Sequence, residues 1–338
     1  MSKNYPIDFV VTWVDGNDPI WQAEKAKYSP NKNADNRNVR FRDWDNMQYW
    51  FRAVEKFAPW VNKIHFVTYG HLPKWLNTNN PKLNIAKHSD FIPQKYLPTF
   101  SSQPIELNLH RIEGLAERFV YFNDDMFLLR PVKRELFFAG KDCLPTDFAI
   151  TSTISTTTKE DMMPFIKLNC VTILNGHFDK KEQMKKHFSK WVNLAYGWNA
   201  LRNLIFYGQH RFKGFANNHL AFSFLKSEYE DIWEKEYESL DDTSSHKFRS
   251  KLDLDNWLIR YWQLTRGNFY PIGRHVKGKV YEIYNGVEQN QELFKIIENQ
   301  AMPMICINDN DNVDFEPMKE RIKQAFNKIL PEKSSFEK

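Results

Sequence analysis

FVYFNDDMFLLRPV (119–132) decides how this chain is read. Four β-favouring residues, Phe119 to Phe122, run directly into Asn123-Asp124-Asp125, and the chain then turns apolar again. A carboxylate between two apolar runs is costly unless a proton, a cation or hydrogen bonds neutralise it. Two readings fit. Beyond a strand's end the alternation of faces lapses, so both carboxylates can converge on one hard divalent cation, Mg²⁺ or Mn²⁺. Alternatively the pair is a polar turn in which one Asp caps the next segment.

The flanking sequence repeats the strand pattern. DFVVTWV (8–14) predicts a buried strand, closed by Asp15-Gly16-Asn17-Asp18-Pro19. KIHFVTYG (63–70), LNIAKHSD (83–90) and RFVYFND (118–124) predict three more. Between them, DWDNMQYWFRAVEKFA (43–58) predicts a helix with Asp43 as N-cap. Its Met47, Trp50, Phe51, Val54 and Phe57 form an apolar stripe at helical spacing. ELNLHRIEGLAE (106–117) predicts a second helix, and polar residues 22–42 a mobile loop. Strands alternating with helices specify an α/β fold with a mostly parallel sheet, whose ligands sit beyond the carboxyl ends of the strands. Two carboxylate-rich turns fall there: Asp15/Asp18 and Asp124/Asp125. The sequence has no GxGxxG and no GxxxxGK[ST], which argues against a dinucleotide oxidoreductase or a P-loop ATPase.

The second half is less regular. TSTISTTTKE (151–160) predicts a loop or polar edge, while LKSEYEDIWEKEYESL (225–240), DLDNWLIRYWQLTRG (253–267) and residues 316–330 predict helices. A frayed tail follows. Segment 177–215 interleaves basic and aromatic residues. Either Lys180, Lys181, Lys185 and Lys186 meet an anionic membrane with Phe188 and Trp191 at the interface, or the aromatics pack on the core.

Composition limits the classes. Of 338 residues, 42% are hydrophobic and 15% aromatic, which specifies a folded globule. The net charge of +5 permits an anionic substrate without demanding one. Cys143, Cys170 and Cys306 are widely spaced, without a CxxC pair, so neither a disulfide framework nor a Cys-based zinc site is expected. Asp8 interrupts the first apolar run, a poor signal peptide, and no run approaches the roughly 18 uncharged apolar residues of a span. The expected setting is cytoplasmic, with peripheral attachment to the cytoplasmic face of the membrane as the variant.

Four blocks together resemble the Stealth family of hexose-1-phosphate transferases. They are DFVVTWVDGNDPIW (8–21); residues 40–77 continued by 88–132; NHLAFSFLK (218–226); and HKFRSKLDLDNWLIRYW (246–262). The long second block is the most specific. The third has Ala221 where the family commonly has Pro. The family includes bacterial capsular-polysaccharide phosphotransferases and the animal lysosomal-enzyme N-acetylglucosamine-1-phosphotransferase.

The resemblance implies a GT-A-like, Rossmann-type nucleotide-sugar-binding sheet with a largely helical second part. It implies transfer of a sugar-1-phosphate from a UDP-sugar, hexose or N-acetylhexosamine, to a glycan hydroxyl, lipid-linked in one variant. A phosphodiester forms and UMP leaves, in capsular or cell-surface polysaccharide synthesis. The catalytic positions it implies are Glu106, Asp125, His219 and Arg249. Asp124 and Asp125 would hold Mg²⁺ or Mn²⁺, and Asp15, Gly16, Asp18, Asn123 and Lys226 would bind substrate. Either His219 or Asp125 would take the acceptor proton. The expected division is a core over 1–150, a basic-aromatic insertion over 151–217, a site-completing helical part over 218–330 and the tail over 331–338.

The rivals are a metal-dependent glycosyltransferase releasing UDP, a catalytically dead glycan- or membrane-binding module, and a nucleic-acid binder. The number of phosphates on the released uridine separates the first. Intact acidic, His and Arg positions argue against the second. The third rests on charge alone, and no nucleic-acid partner is expected.

Overall fold

The computed structural model describes residues 5–29, 42–156, 158, 160–310 and 312–338. Eleven strands appear in chain order among them: β1 (Ile7–Thr12), β2 (Ile64–Thr68), β3 (Leu83–Lys87), β4 (Arg118–Phe122), β5 (Met126–Leu128), β6 (Phe138–Ala139), β7 (Leu144–Asp147), β8 (Phe222–Leu225), β9 (Tyr270–Pro271), β10 (Gly278–Glu282) and β11 (Met304–Asn308). The main sheet runs β3-β2-β1-β4-β8. Its first four strands are parallel and β8 joins antiparallel at the edge. Two three-stranded sheets, β10-β11-β5 and β6-β7-β9, flank it. The α/β class and all four strands predicted in the first half hold.

The main sheet is buried on both faces, which is why β1, β2 and β4 read as continuous apolar runs. Phe9, Val11, Phe66, Val120 and Phe122 point into one core with the helix Met47–Phe57. That helix buries the whole predicted stripe, Met47, Trp50, Phe51, Val54 and Phe57, each side chain contributing about 1.5–3 kcal/mol. Val10, Val67, Phe119 and Tyr121 point to the opposite core with the helix Asn256–Thr265. Asp8, the charge inside β1, is fully buried and fully used. It accepts from His65 Nε2 at 3.0 Å, Asn62 Nδ2 at 2.7 Å and the amides of Lys63 and Ala116.

Several expectations need correction. The segment expected as a loop over 22–42 begins in a helix, Pro19–Tyr28, started by Asp18, which accepts from the Trp21 amide at 2.7 Å. Residues 30–41 lie outside those described. The helix expected over 106–117 lies earlier, at Ser102–Leu107, and a 3₁₀ turn follows. There Leu107, Leu109, Ile112 and Leu115 are all buried, so their spacing reflects a chain folded tightly onto the core rather than one helical face. Asp43 caps no helix. Its Oδ1 accepts from the Asp45 amide, and the helix starts after Asn46.

The second part is largely helical, as expected, yet it supplies β8 to the main sheet and the paired β10 and β11. The predicted helix over 225–240 is two, Lys226–Lys235 and Tyr237–Ser245. The tail is not frayed. Phe336 is buried against Phe51, Arg52 forks onto Glu337, and the Lys338 amide donates to the Trp75 carbonyl.

Candidate active site

The main sheet ends in a cleft of about 940 Å³ at the carboxyl end of β4. β4 delivers Asn123-Asp124-Asp125 and β5 carries the chain into the second sheet. The turn is fixed on both sides: the Met126 amide donates to the Asn123 carbonyl, and the Ile307 amide of β11 to the Asp125 carbonyl. β8 then explains His219. Phe222 pairs with Tyr121 in antiparallel register, so His219, three residues earlier, falls level with Asp124. Its Nε2 lies 3.4 Å from Asp125 Oδ2 and 3.4 Å from Asn123 Nδ2.

The short helix Ser102–Leu107 forms another wall. Glu106 is buried and accepts from the Tyr121 hydroxyl at 3.2 Å, and that hydroxyl also meets Thr12 Oγ1 at 3.2 Å. Arg249 reaches the same helix, with Nε on Gln103 Oε1 at 3.2 Å and a second nitrogen on Ser102 Oγ at 3.1 Å. The cleft therefore gathers Glu106, Asn123, Asp124, Asp125, His219 and Arg249 from separate stretches of chain.

It does not gather the rest. Asp18 is used as a helix cap. Asp15 accepts from Asn17 and donates its own amide to His71 Nε2 at 2.8 Å. Neither they nor Gly16 line the cleft, although Thr12, Trp13, Val14 and Trp21 beside them do. Lys226 is placed worst. It follows Leu225, which pairs with Arg118 at the amino end of β4. Five residues of strand at about 3.3 Å each separate that end from Asn123, so Lys226 lies roughly 15 Å from the cleft.

Some lining residues gave no signal in the sequence. Asp255 lies unmarked inside the segment predicted as a helix over 253–267; it is that helix's N-cap. Asp43 was assigned to a cap it does not make. Lys167 and Glu282 arrive through long-range packing, as does Cys306, which touches Asp125 from behind the lining. Only Asp255's position ahead of the WLIRYW run could have marked it.

The wall is acidic. Asp43, Glu106, Asp124, Asp125, Asp255, Glu282 and Asp309 face Arg42, Lys167 and Arg249. Water reaches Asp124 through the open cleft, yet protein surrounds it. That loss of bulk solvent, followed by the charges of Asp125 and Asp43, raises its pKa to about 7. Burial, then Asp255, raises Glu106 to about 7 against the pull of Arg249. Burial likewise brings Asp255 up to about 6. For His219 burial acts downward, but the hydrogen bond and charge of Asp125 outweigh it, and the net shift is upward.

These residues fit a hard divalent cation. Asp125 Oδ1 is buried with no hydrogen-bond partner, and Asp124 stands beside it as a second oxygen donor. Asp125, His219 and Cys306 also bring ligand atoms within 4.8 Å of one another. Burial and the neighbouring Asp125 hold the Cys306 thiol protonated, and it donates to Asp125 Oδ2 at 3.2 Å. An oxygen-donor set of that kind suits Mg²⁺ or Mn²⁺ better than a thiophilic metal.

Residues 40–144, which carry the Asp pair and Glu106, match Stealth protein CR2, conserved region 2. Residues 5–33 match Stealth protein CR1, conserved region 1. The capsular polysaccharide phosphotransferase WcwK of Streptococcus pneumoniae is 43% identical over 100% of both chains. The chain belongs to the Stealth family. Other relatives are the receptor polysaccharide phosphotransferase WefC of Streptococcus gordonii, 40% identical over 98% of each chain, and the exopolysaccharide phosphotransferase cps2G of Lactiplantibacillus plantarum, 38% identical over 100% of this chain and 98% of that one. The solved galactosyltransferase LgtC is 8% identical over 97% of this chain and 98% of its own, with a TM-score of 0.37.

Proposed function

We propose that this Stealth protein is a polysaccharide phosphotransferase that moves a sugar-1-phosphate from a UDP-sugar to a glycan hydroxyl, forming a phosphodiester and releasing UMP. The observation that carries the reading is the pairing of His219 with Asp125 in an acidic cleft that Arg249 enters from the opposite wall. The names of the relatives at 38–43% identity support the reaction class.

In this reaction the acceptor oxygen attacks the β-phosphorus and the bond to the bridging oxygen breaks. The electron pair of that bond leaves with UMP. His219 takes the acceptor proton, because Asp125 orients its ring and raises its proton affinity. Arg249, held by Ser102 and Gln103 and always charged, faces the oxygens on which negative charge gathers. Glu106, anchored by Tyr121, accepts from donor sugar hydroxyls. The acidic side chains outnumber Arg42, Lys167 and Arg249 in the cleft wall, so a cation would help it admit a diphosphate. Asp124 and Asp125 would hold Mg²⁺ or Mn²⁺, which supplies charge neutralisation at the phosphates.

Incubation with a panel of UDP-sugars and a glycan acceptor tests the reading. Chromatography of the uridine product should show UMP. Release of UDP with a phosphate-free glycosidic product would instead make the protein an ordinary glycosyltransferase.

A further inference from the structure

The basic segment exposes only some of the residues singled out in the sequence: Lys181, Lys185, Lys186 and Phe188 face outward. Trp191 and Met184 are core residues, and Lys180 is fully buried, with Nζ on the Phe206 carbonyl at 2.6 Å. The exposed apolar residues come next in the chain. Leu194 is 97% exposed, Trp198 87% and Ile205 77%, with Leu201 and Leu204 also outward. Trp198, the N-cap of the helix Asn199–Ile205 with helical backbone angles, lies at i to Leu201 at i+3 and Ile205 at i+7, so the three share one face.

The opposite face of that helix is fully engaged. Ala200 packs on Phe148, Ile150 and Tyr196. Buried Asn203 bonds the Thr151 amide and the carbonyls of Ala149 and Trp191. The outer face is therefore a rigid apolar ridge rather than an unfinished core. Residues 177–215 hold eight lysines and arginines against two acids, a net +6 in a chain whose total is +5. The remainder of the chain sums to −1. Lys181, Lys185, Lys186, Arg211 and Lys213 are exposed.

We propose that this ridge, Leu194, Trp198, Leu201 and Ile205 with its surrounding lysines, docks on an anionic phospholipid surface. Exposed aliphatic and Trp side chains enter the headgroup boundary, and the basic residues meet the lipid charge. Charge argues against a second copy of the chain as the occupant, because a symmetric pair would set two strongly positive segments against each other. Among the described residues no helix is long and apolar enough to cross a membrane, so attachment here is peripheral. Docking also has a consequence for the site. Ala216 packs in the same small cluster as Ala200, and Asn217, Asn218 and His219 follow it directly. The membrane would then lie beside the His219 wall, where a lipid-borne acceptor would arrive.

Flotation of the full chain with phosphatidylglycerol/phosphatidylcholine vesicles tests the proposal. Wild type should float with these vesicles at low salt and stay behind with pure phosphatidylcholine or at high salt. Trp198→Ser/Leu201→Ser/Ile205→Ser should cut partitioning at least about tenfold, as should Lys181→Glu/Lys185→Glu/Lys186→Glu. Both variants should keep the wild-type circular dichroism and turnover on a water-soluble acceptor. Three results would each overturn the proposal: no flotation of wild type at low salt; flotation unchanged in the triple serine variant; or a wild-type dimer by light scattering that the triple serine variant converts to monomer, which would assign the ridge to a second copy.

Discussion

Asp125 and His219 face each other across 3.4 Å, although 94 residues separate them in the chain. The contact exists because β8 turns back along β4 and brings residue 219 level with the Asp pair. A base oriented by a carboxylate typically contributes about 10²–10⁴-fold to rate. His219→Ala should therefore lower kcat by at least about 10²-fold with a small change in KM for the donor. Near-normal kcat would remove His219 as the base.

Asp124 and Asp125 should govern cation binding directly. Manganese titration followed by electron paramagnetic resonance should show one tight site in wild type. Asp124→Asn and Asp125→Asn should each weaken it, and chelation should abolish turnover. Undiminished Mn²⁺ binding in both variants would place the cation elsewhere.

The loop that carries His219 rests on a buried ion pair. Arg260 is fully buried, forks onto Asp147 with two 2.8 Å bonds and reaches Asn217 Oδ1 at 2.6 Å. Arg260→Met leaves Asp147 unpaired and should cost about 3–5 kcal/mol. Arg260→Met/Asp147→Leu should recover part of the loss, since neither member of the pair is then buried alone, while buried Lys277 loses Asp147 and is relieved of Arg260 together. Urea denaturation of the three proteins measures both. A double variant less stable than the single would contradict this.

Strands β1 to β4 and the Met47–Phe57 helix were legible because each is a short apolar pattern bounded by local turn signals. The Asp pair was legible for the same reason. What the sequence concealed depends on partners far along the chain. Cys306 reaches Asp125 only because β11 pairs with β5. Lys226, spaced like a site residue, is carried to the wrong end of the sheet by the antiparallel course of β8. The polar helix Pro19–Tyr28 buries only Trp21, so it has almost no apolar stripe by which to be recognised. The tail looked frayed because its anchor, Phe336, has a single large apolar side chain and finds its partners in a helix nearly three hundred residues earlier.

Asp8 should give folding stability a defined acid dependence. Burial pushes its pKa up, but the bonds from His65, Asn62 and Ala116 outweigh that, and the folded value lies below the ordinary 3.8. Its contribution is therefore complete above 3.8 and is lost as pH falls through the folded value. Asp8→Asn should lower Tm at neutral pH and show a smaller further loss on acidification than wild type. A parallel fall in both proteins would contradict this.

The central claim is that phosphorus travels with the sugar. A UDP-sugar labelled with ³²P in its β-phosphate tests it in one measurement. The account predicts label in the glycan product, resistant to phosphatase because it sits in a diester, with unlabelled UMP in solution. Label recovered wholly in UDP, with none in the glycan, would contradict it.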